Sequence, residues 1–445
     1  MIAFASLFLG LVVGVVPVTV LVEKPVAAVR FELDGRAAGR IERAPWTLPL
    51  DFGSEPFPHE LVARAFDDSG REVGATRQFV NLPRPPAEVE VVLERDSKGR
   101  PVAARFTGQS LIAQRPTRVT ATFDGATLAV EDGSDRVALP PHDAGARHIL
   151  SIDLEFSPVV RSRTDVVLGG VESTIARSEL TAVAMRAAAA GKFPEVADLE
   201  GALQRGRQPL SVVAVEQGPA LVCVVRGPSV APALKALGAG GRTIWIQQGK
   251  NRGLPQFDRD ASRNRVALEK EDLLRFIWPI PRFPASSPGS QLYDRSRDFP
   301  GANAGVPWLL TRIEHPEQHP PEVRLADAAA VAGLEAAASG GRRAVVLVLG
   351  EEREDRSRHS PASVRRYLEA IRVPFFVWSL KGLATQPLAK SWSAVEDVSS
   401  ATKLEKAVEK LKTELAEQRI VWVQGRYLPQ EIALSDRARG IELVR

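Results

Sequence analysis

The sequence is short of sulfur, of clustered charge and of catalytic signatures, and each shortage narrows what the protein can be. One cysteine, Cys223, stands among 445 residues, so no disulfide can close within the chain. It sits in an apolar run, where a thiol is a small buried hydrophobe and not a nucleophile. The missing disulfide framework leaves export undecided. Lys and Arg number 58 against 54 Asp and Glu, a net charge of 58 − 54 = +4, and the two signs are interspersed. Neither a basic block nor a basic stripe with interleaved aromatics occurs, which excludes the footprint of a nucleic-acid binder. No Gly-x-Ser-x-Gly elbow, phosphate-cradling glycine loop, dinucleotide fingerprint or Cys/His metal spacing is present. These absences argue against an enzyme, a cofactor and a resident metal ion.

Charge is also missing from the first 22 residues, and residues 2–16 are almost wholly apolar. Such a run is long enough for a signal-peptide core and borderline for a membrane span. Residues 1–17 are therefore expected to be a signal peptide or membrane anchor, with a buried first strand as the third reading. The protein would then be exported, periplasmic or extracellular, and would touch a membrane only through this segment.

Hydrophobic residues at 44% and charged residues at 25% are globular proportions, and the length calls for two to four domains. From residue 18 to about 170 the pattern is short alternating runs separated by Gly, Pro, Asp and Asn, as in antiparallel sandwiches. An internal repeat runs through it. Val-Arg-Phe-Glu-Leu-Asp-Gly at 29–35 is matched by Val-Thr-Ala-Thr-Phe-Asp-Gly at 119–125, each a strand ending in an Asp-Gly turn. The strand opening at His59 is matched by one opening at His148. Two all-β modules, 18–85 and 86–170, follow, with a proline-stiffened joint at 81–86. The first, over residues 18–82, resembles bacterial immunoglobulin-like domains. His59 and His148 open repeated strands without further ligands at metal spacing, and read as structural.

A β-rich connecting segment, 171–218, leads into a half of another kind, 219–445. Residues 220–226, Ala-Leu-Val-Cys-Val-Val-Arg, read as a strand buried on both faces, closed by Gly-Pro and followed by an Ala-rich helix. Further strands are expected at 243–247, 343–349 and 373–380, with 420–423 and 441–444 completing the sheet. Helices are expected at 324–338, at 361–372 with Ser360 as N-cap, and at 400–418 with Leu404, Val408, Leu411 and Leu415 on one stripe. This alternation predicts a doubly wound, Rossmann-like α/β domain. Residues 248–303 read as one long irregular excursion suited to partner contact.

The order of these elements, with Gly-Arg-Arg-Ala-Val-Val-Leu-Val-Leu at 341–349 and the ending from 415, resembles a von Willebrand factor A-type domain. It is similar to bacterial proteins in which such a domain follows an export signal and β modules. The resemblance implies a divalent-cation site of the form Asp-x-Ser-x-Ser after the first strand, with a later Asp after the fourth. This chain has Arg226-Gly-Pro-Ser229-Val230 and Gly350 at those places. A guanidinium repels Mg²⁺, so the metal site is expected to be lost.

Ligands of open α/β sheets sit beyond the carboxyl ends of the strands. The candidate partner-binding residues there are Arg226, Ser229, Glu351, Glu352, Asp355 and Ser357. An Arg facing these carboxylates could form a metal-free ion pair or a pocket for a peptide carboxylate. His315 and His319 are four apart, but Pro316, Pro320 and Pro321 forbid the shared helical face that a zinc pair requires. The expectation is a non-catalytic protein-binding or scaffold protein. The alternatives are an envelope hydrolase using Glu351, Glu352 and Asp355 with His359 or His315 as base, and a purely structural envelope component.

Overall fold

The computed structural model describes residues 2–6, 8, 10–22, 26–83, 87–96, 99–110, 115–130, 133–143, 145–146, 148–157, 160–168, 180–188, 193–230, 232–233, 244–245, 268–281, 293–301, 306, 310, 313–314, 322–381 and 387–444. They form two compact units that do not follow chain order. One comprises Met1–Pro83, Ala182–Trp422 and Tyr427–Arg445, the other Arg84–Thr181 with Val423–Arg426.

The first unit opens with an immunoglobulin-like sandwich. A three-stranded sheet, Ile2–Phe4, Val15–Val22 and Thr47–Asp51, faces a four-stranded sheet in the order Arg36–Ile41, Ala28–Leu33, His59–Phe66 and Glu72–Val80. Alternation places Leu61, Ala63 and Ala65 inward, against Val18, Val20, Phe31 and Leu50. The second unit repeats this plan, with Ala126–Leu128, Arg118–Phe123, His148–Ser157 and Val160–Leu168 in one sheet and Arg136–Ala138, Pro101–Ser110 and Ala87–Arg95 in the other. Both Asp-Gly hairpins hold two consecutive left-handed residues, Asp34 (φ 52°) with Gly35 (φ 72°) and Asp124 (φ 50°) with Gly125 (φ 81°). That is the turn whose twist matches a right-twisted hairpin. The repeat read in the sequence is thus a repeat of strand order.

Matching the two copies gives the amino-terminal segment a place in the sandwich. Ile2–Phe4 pairs with the end of Val15–Val22 as Ala87–Arg95 pairs with Pro101–Ser110. Leu11 and Val12 are buried, and no helix among the described residues is long and apolar enough to cross a membrane. Asn81, buried and left-handed (φ 58°), clamps this segment. Its Oδ1 accepts the Val12 amide at 2.6 Å, and its Nδ2 donates to the carbonyls of Val12 (2.8 Å) and Phe57 (2.7 Å). The Asn81 carbonyl accepts the buried Tyr367 hydroxyl at 3.0 Å, and Leu11 joins the core of the α/β part.

That part is built on a sheet in the order Tyr293–Arg295, Leu273–Pro281, Ala220–Arg226, Arg342–Leu349, Phe375–Ser379 and Val395–Asp397. The last five are parallel, and Tyr293–Arg295 runs antiparallel at the edge. All residues of Ala220–Arg226 and Arg342–Leu349 are buried. Helices Leu325–Ala338 and Pro361–Ala370 cover one face and Ala401–Glu417 the other. The Ser360 side chain accepts the Ser363 amide as N-cap, and Leu404, Val408, Leu411 and Leu415 form the buried stripe of the last helix. At the opposite rim, Arg342 ties the sheet to its surroundings through Asp272 (2.9 Å) and the carbonyls of Gly218 and Leu415. Cys223 is fully buried, and burial pushes its thiol up.

Three expectations are corrected. Leu273–Pro281, inside the supposed irregular excursion, is a core strand paired along Ala220–Arg226. Ile244–Trp245 pairs with Ile313–Glu314 and not with the main sheet. Gln418–Gln424 and Ile441–Leu443 do not finish the parallel sheet but join Val212–Glu216 and Leu180–Ala187 in a separate one. Within that sheet Ile441–Leu443 runs antiparallel to Met185–Ala187. The remainder of 248–267 and 282–292, and His315 and His319, lie outside the described residues.

Replacing Asn81 by Ala leaves a buried amide and two carbonyls without their partner. The expected cost is about 3 kcal/mol, read as a lowered urea midpoint at unchanged slope.

Candidate functional site

The central strand Ala220–Arg226 lies between Leu273–Pro281 and Arg342–Leu349. The chain builds outward on one side, then returns to build on the other. Strand order reverses between Ala220–Arg226 and Arg342–Leu349, the kind of place at which open α/β sheets take ligands. Arg226 is in register with Val348, which brings the 227–230 and 350–360 loops together.

Ser229 and Glu352 meet there. The Glu352 carboxylate is buried and turns back onto the strand ends, where it accepts the Ser229 hydroxyl, the Ser229 amide at 3.1 Å and the Gly350 amide at 2.8 Å. The Ser229 hydroxyl in turn accepts the Glu351 amide at 2.6 Å. Two glycines make room for this approach. A Cβ on Gly227 would collide with the Glu352 carboxylate, and one on Gly350 with the Ser229 hydroxyl. Glu351 points outward and pairs with Lys381 at 2.9 Å, both side chains about half exposed.

Arg226 is buried and turned elsewhere. Its guanidinium donates to the carbonyl of Leu310 and stands 5.9 Å over the Phe276 ring. Asp355 and Ser357 cap a helix. Asp355 accepts the amides of Leu325 (2.9 Å) and Ala326 (3.1 Å), the first two of Leu325–Ala338, and Ser357 Oγ accepts that of Asp327 (3.0 Å). Ser357 also donates to Asp355 at 2.6 Å.

Asp327, which the sequence reading passed over, returns the contact. Fully buried, it accepts the amides of Arg358 and His359, each at 3.0 Å, and His359 Nδ1 at 2.7 Å. An isolated acid in the first turn of an alanine-rich helix was the available signal. His359 Nε2, on the far side of the ring from Asp327, is buried without a hydrogen-bond partner. Burial pushes the Asp327 carboxyl up, but the His359 side chain and the two amides outweigh it and hold it below 3.8. At Asp355 burial wins over the same kinds of donor, and its carboxyl is held above 3.8.

Of the six candidates, then, Ser229, Glu351 and Glu352 converge, while Arg226, Asp355 and Ser357 are engaged in separate contacts. No cluster of three or more His, Cys, Asp or Glu suited to a metal ion occurs among the described residues.

No protein-family model matches the sequence, and no curated protein matches it. Solved structures similar to the chain include the fibronectin(III)-like modules of Clostridium thermocellum CbhA, 22% identical over 18% of this chain and 93% of that one, with a TM-score of 0.17. The central fibronectin-III array of RIM-binding protein is 8% identical over 44% of this chain and 82% of that one (TM-score 0.22). A β-glucuronidase from glycoside hydrolase family 2 is 13% identical over 38% of this chain (TM-score 0.18), and the chain spans only 20% of that enzyme. The immunoglobulin-like sandwiches rest on their own strand order and not on these partial likenesses.

The sign of the pH effect at Asp327 follows from its lowered carboxyl. Its stabilisation is present above pH 3.8 and is lost as pH falls through its lower folded value. Asp327→Asn is expected to cost about 3 kcal/mol at neutral pH. It should also flatten the acid limb of a plot of urea midpoint against pH.

Proposed function

We propose that the chain is a non-catalytic protein-binding or scaffold protein. Its immunoglobulin-like modules accompany an α/β domain of degenerate von Willebrand factor A type, whose rim meets a protein partner without a metal ion. The observation that carries this reading is the state of the rim. Where oxygen ligands for a divalent ion would converge, Gly350 supplies no side chain, the Glu352 carboxylate is already bound by Ser229 and Gly350, and Arg226 at the strand end turns its guanidinium to the Leu310 carbonyl. The reversal of strand order at this point supports the doubly wound reading, and the exposed Glu351–Lys381 pair beside it supplies polar groups for a partner.

Titration calorimetry with Mg²⁺, Mn²⁺ and Ca²⁺ is expected to show no binding. Micromolar affinity that disappears in Ser229→Ala would overturn the metal-independent reading. Export belongs to the same proposal and is tested by fractionation with amino-terminal sequencing of the mature protein. Recovery of the intact chain in the cytoplasm would overturn it.

One observation favours a second reading, that of a hydrolase. Asp327 orients the His359 ring through Nδ1 and leaves Nε2 without a partner, the arrangement general-base chemistry uses. Turnover of an ester, peptide or glycoside substrate that is lost in His359→Ala would decide for it. Absence of turnover across such a panel would decide against it.

A further inference from the structure

Each β module carries the same arrangement at one end of its sandwich. In the first, His59 Nδ1 lies 2.8 Å from Asp34 Oδ2 and its Nε2 3.1 Å from the Phe52 carbonyl oxygen, while the Glu60 amide donates to Asp34 Oδ1 at 2.9 Å. In the second, His148 Nδ1 lies 2.7 Å from Asp124 Oδ2 and its Nε2 2.9 Å from the Asp143 carbonyl oxygen, while the Ile149 amide donates to Asp124 Oδ1 at 2.8 Å. The two aspartates stand in the Asp-Gly turns of the four-stranded sheets. Phe52 and Asp143 lie beyond Thr47–Asp51 and Arg136–Ala138, strands of the opposite sheets. Each imidazole therefore spans the two layers of its sandwich.

A neutral imidazole has one N–H and one lone pair. Both ring nitrogens of His148 face an oxygen that can only accept, the Asp124 carboxylate on one side and the Asp143 carbonyl on the other. Only the doubly protonated ring satisfies both. The neutral ring would set a lone pair against one of the two oxygens, at one end of a module that has no disulfide to hold it.

We propose that His148 is a proton-operated staple, tying the two sheets of its module together as an imidazolium ion and letting go as the medium turns alkaline, while His59 holds the matching place in the first module. The surroundings of His148 favour the cation, since Phe123 stacks on its ring at 5.2 Å. The charged and titratable groups about His148 are Asp124, Asp143 and His142, whose ring meets it edge-on at 5.2 Å and whose Nδ1 lies 2.8 Å from the Pro140 carbonyl oxygen. Those about His59 are Asp34, with Arg36 beside it, and Glu60.

For His148, Asp124 is the chief cause that raises the ring above its ordinary 6.5, and Asp124 is itself drawn down chiefly by His148. A group raised on folding stabilises fully below its unfolded value of 6.5, and that stabilisation is lost as pH rises through the folded value. The second module should accordingly loosen on the alkaline side of neutrality.

Deuterium exchange at the imidazole C2 position, read by mass spectrometry on the full wild-type chain, gives the titration of each histidine separately. His148 is expected to titrate above 6.5, and titration at or below 6.5 would overturn the proposal for this module. Thermal unfolding at a series of pH values from 6 to 9 is the second arm. The wild type should lose melting temperature toward alkaline pH, and His148→Gln and Asp124→Asn should lose that dependence. A variant that keeps the wild-type slope would also overturn it. If neither variant folds, the exchange measurement decides alone.

Discussion

Two carboxylates at the sheet rim each hold the other's segment in place. Helix Leu325–Ala338 begins at Arg324, whose side chain makes no cap, so its first amides need outside acceptors. Asp355 and Ser357, from the loop after Arg342–Leu349, supply them. The amides of Arg358 and His359 in that same loop need acceptors in turn, and Asp327 of the helix supplies those. Neither segment can leave without stranding the polar groups of the other. This fixes the loop over the core and brings Ser360 to the start of the next helix, where it caps Ser363.

The reciprocal capping also sorts the rim. Residues that look alike in sequence, a run of acids and serines after a buried strand, have separate tasks. Asp355 and Ser357 cap the start of a helix and Glu352 binds the loops leaving the central strands, while Glu351 faces solvent with Lys381. A surface so arranged is rigid where it is buried and polar where it is exposed.

Much of this was legible beforehand. Local signals located the long helices, since the Ser360 cap and the Leu404 to Leu415 stripe act within a few residues and Ala and Leu dominate Leu325–Ala338. The Asp-Gly turns and the two histidines exposed the repeat because both copies solve the same problem of joining two sheets without a disulfide. The strand Leu273–Pro281 was hidden in a stretch, 248–303, whose density of Arg, Asp, Pro and Ser reads as irregular. Yet Arg275 is neutralised by Asp298 and Glu335, and the Pro279 carbonyl accepts the Arg324 amide. The inward turn of Glu352 and the separate sheet formed by the last strands depend on contacts distant in sequence, to which no local pattern points. The amino-terminal run shows the same limit, for its apolar character is that of a leader and equally that of a strand, Ile2–Phe4, followed by a buried connection through Leu11 and Val12.

The burial of Cys223 has a practical side. Its thiol lies wholly inside the central strand and is held in its unreactive protonated form, so the native chain offers no accessible handle to a maleimide or a spin label. A cysteine introduced at an exposed position such as Glu351 would be the sole reactive site in an otherwise unaltered protein. Its mobility and distance to a second label could then be followed without background as candidate partners are added.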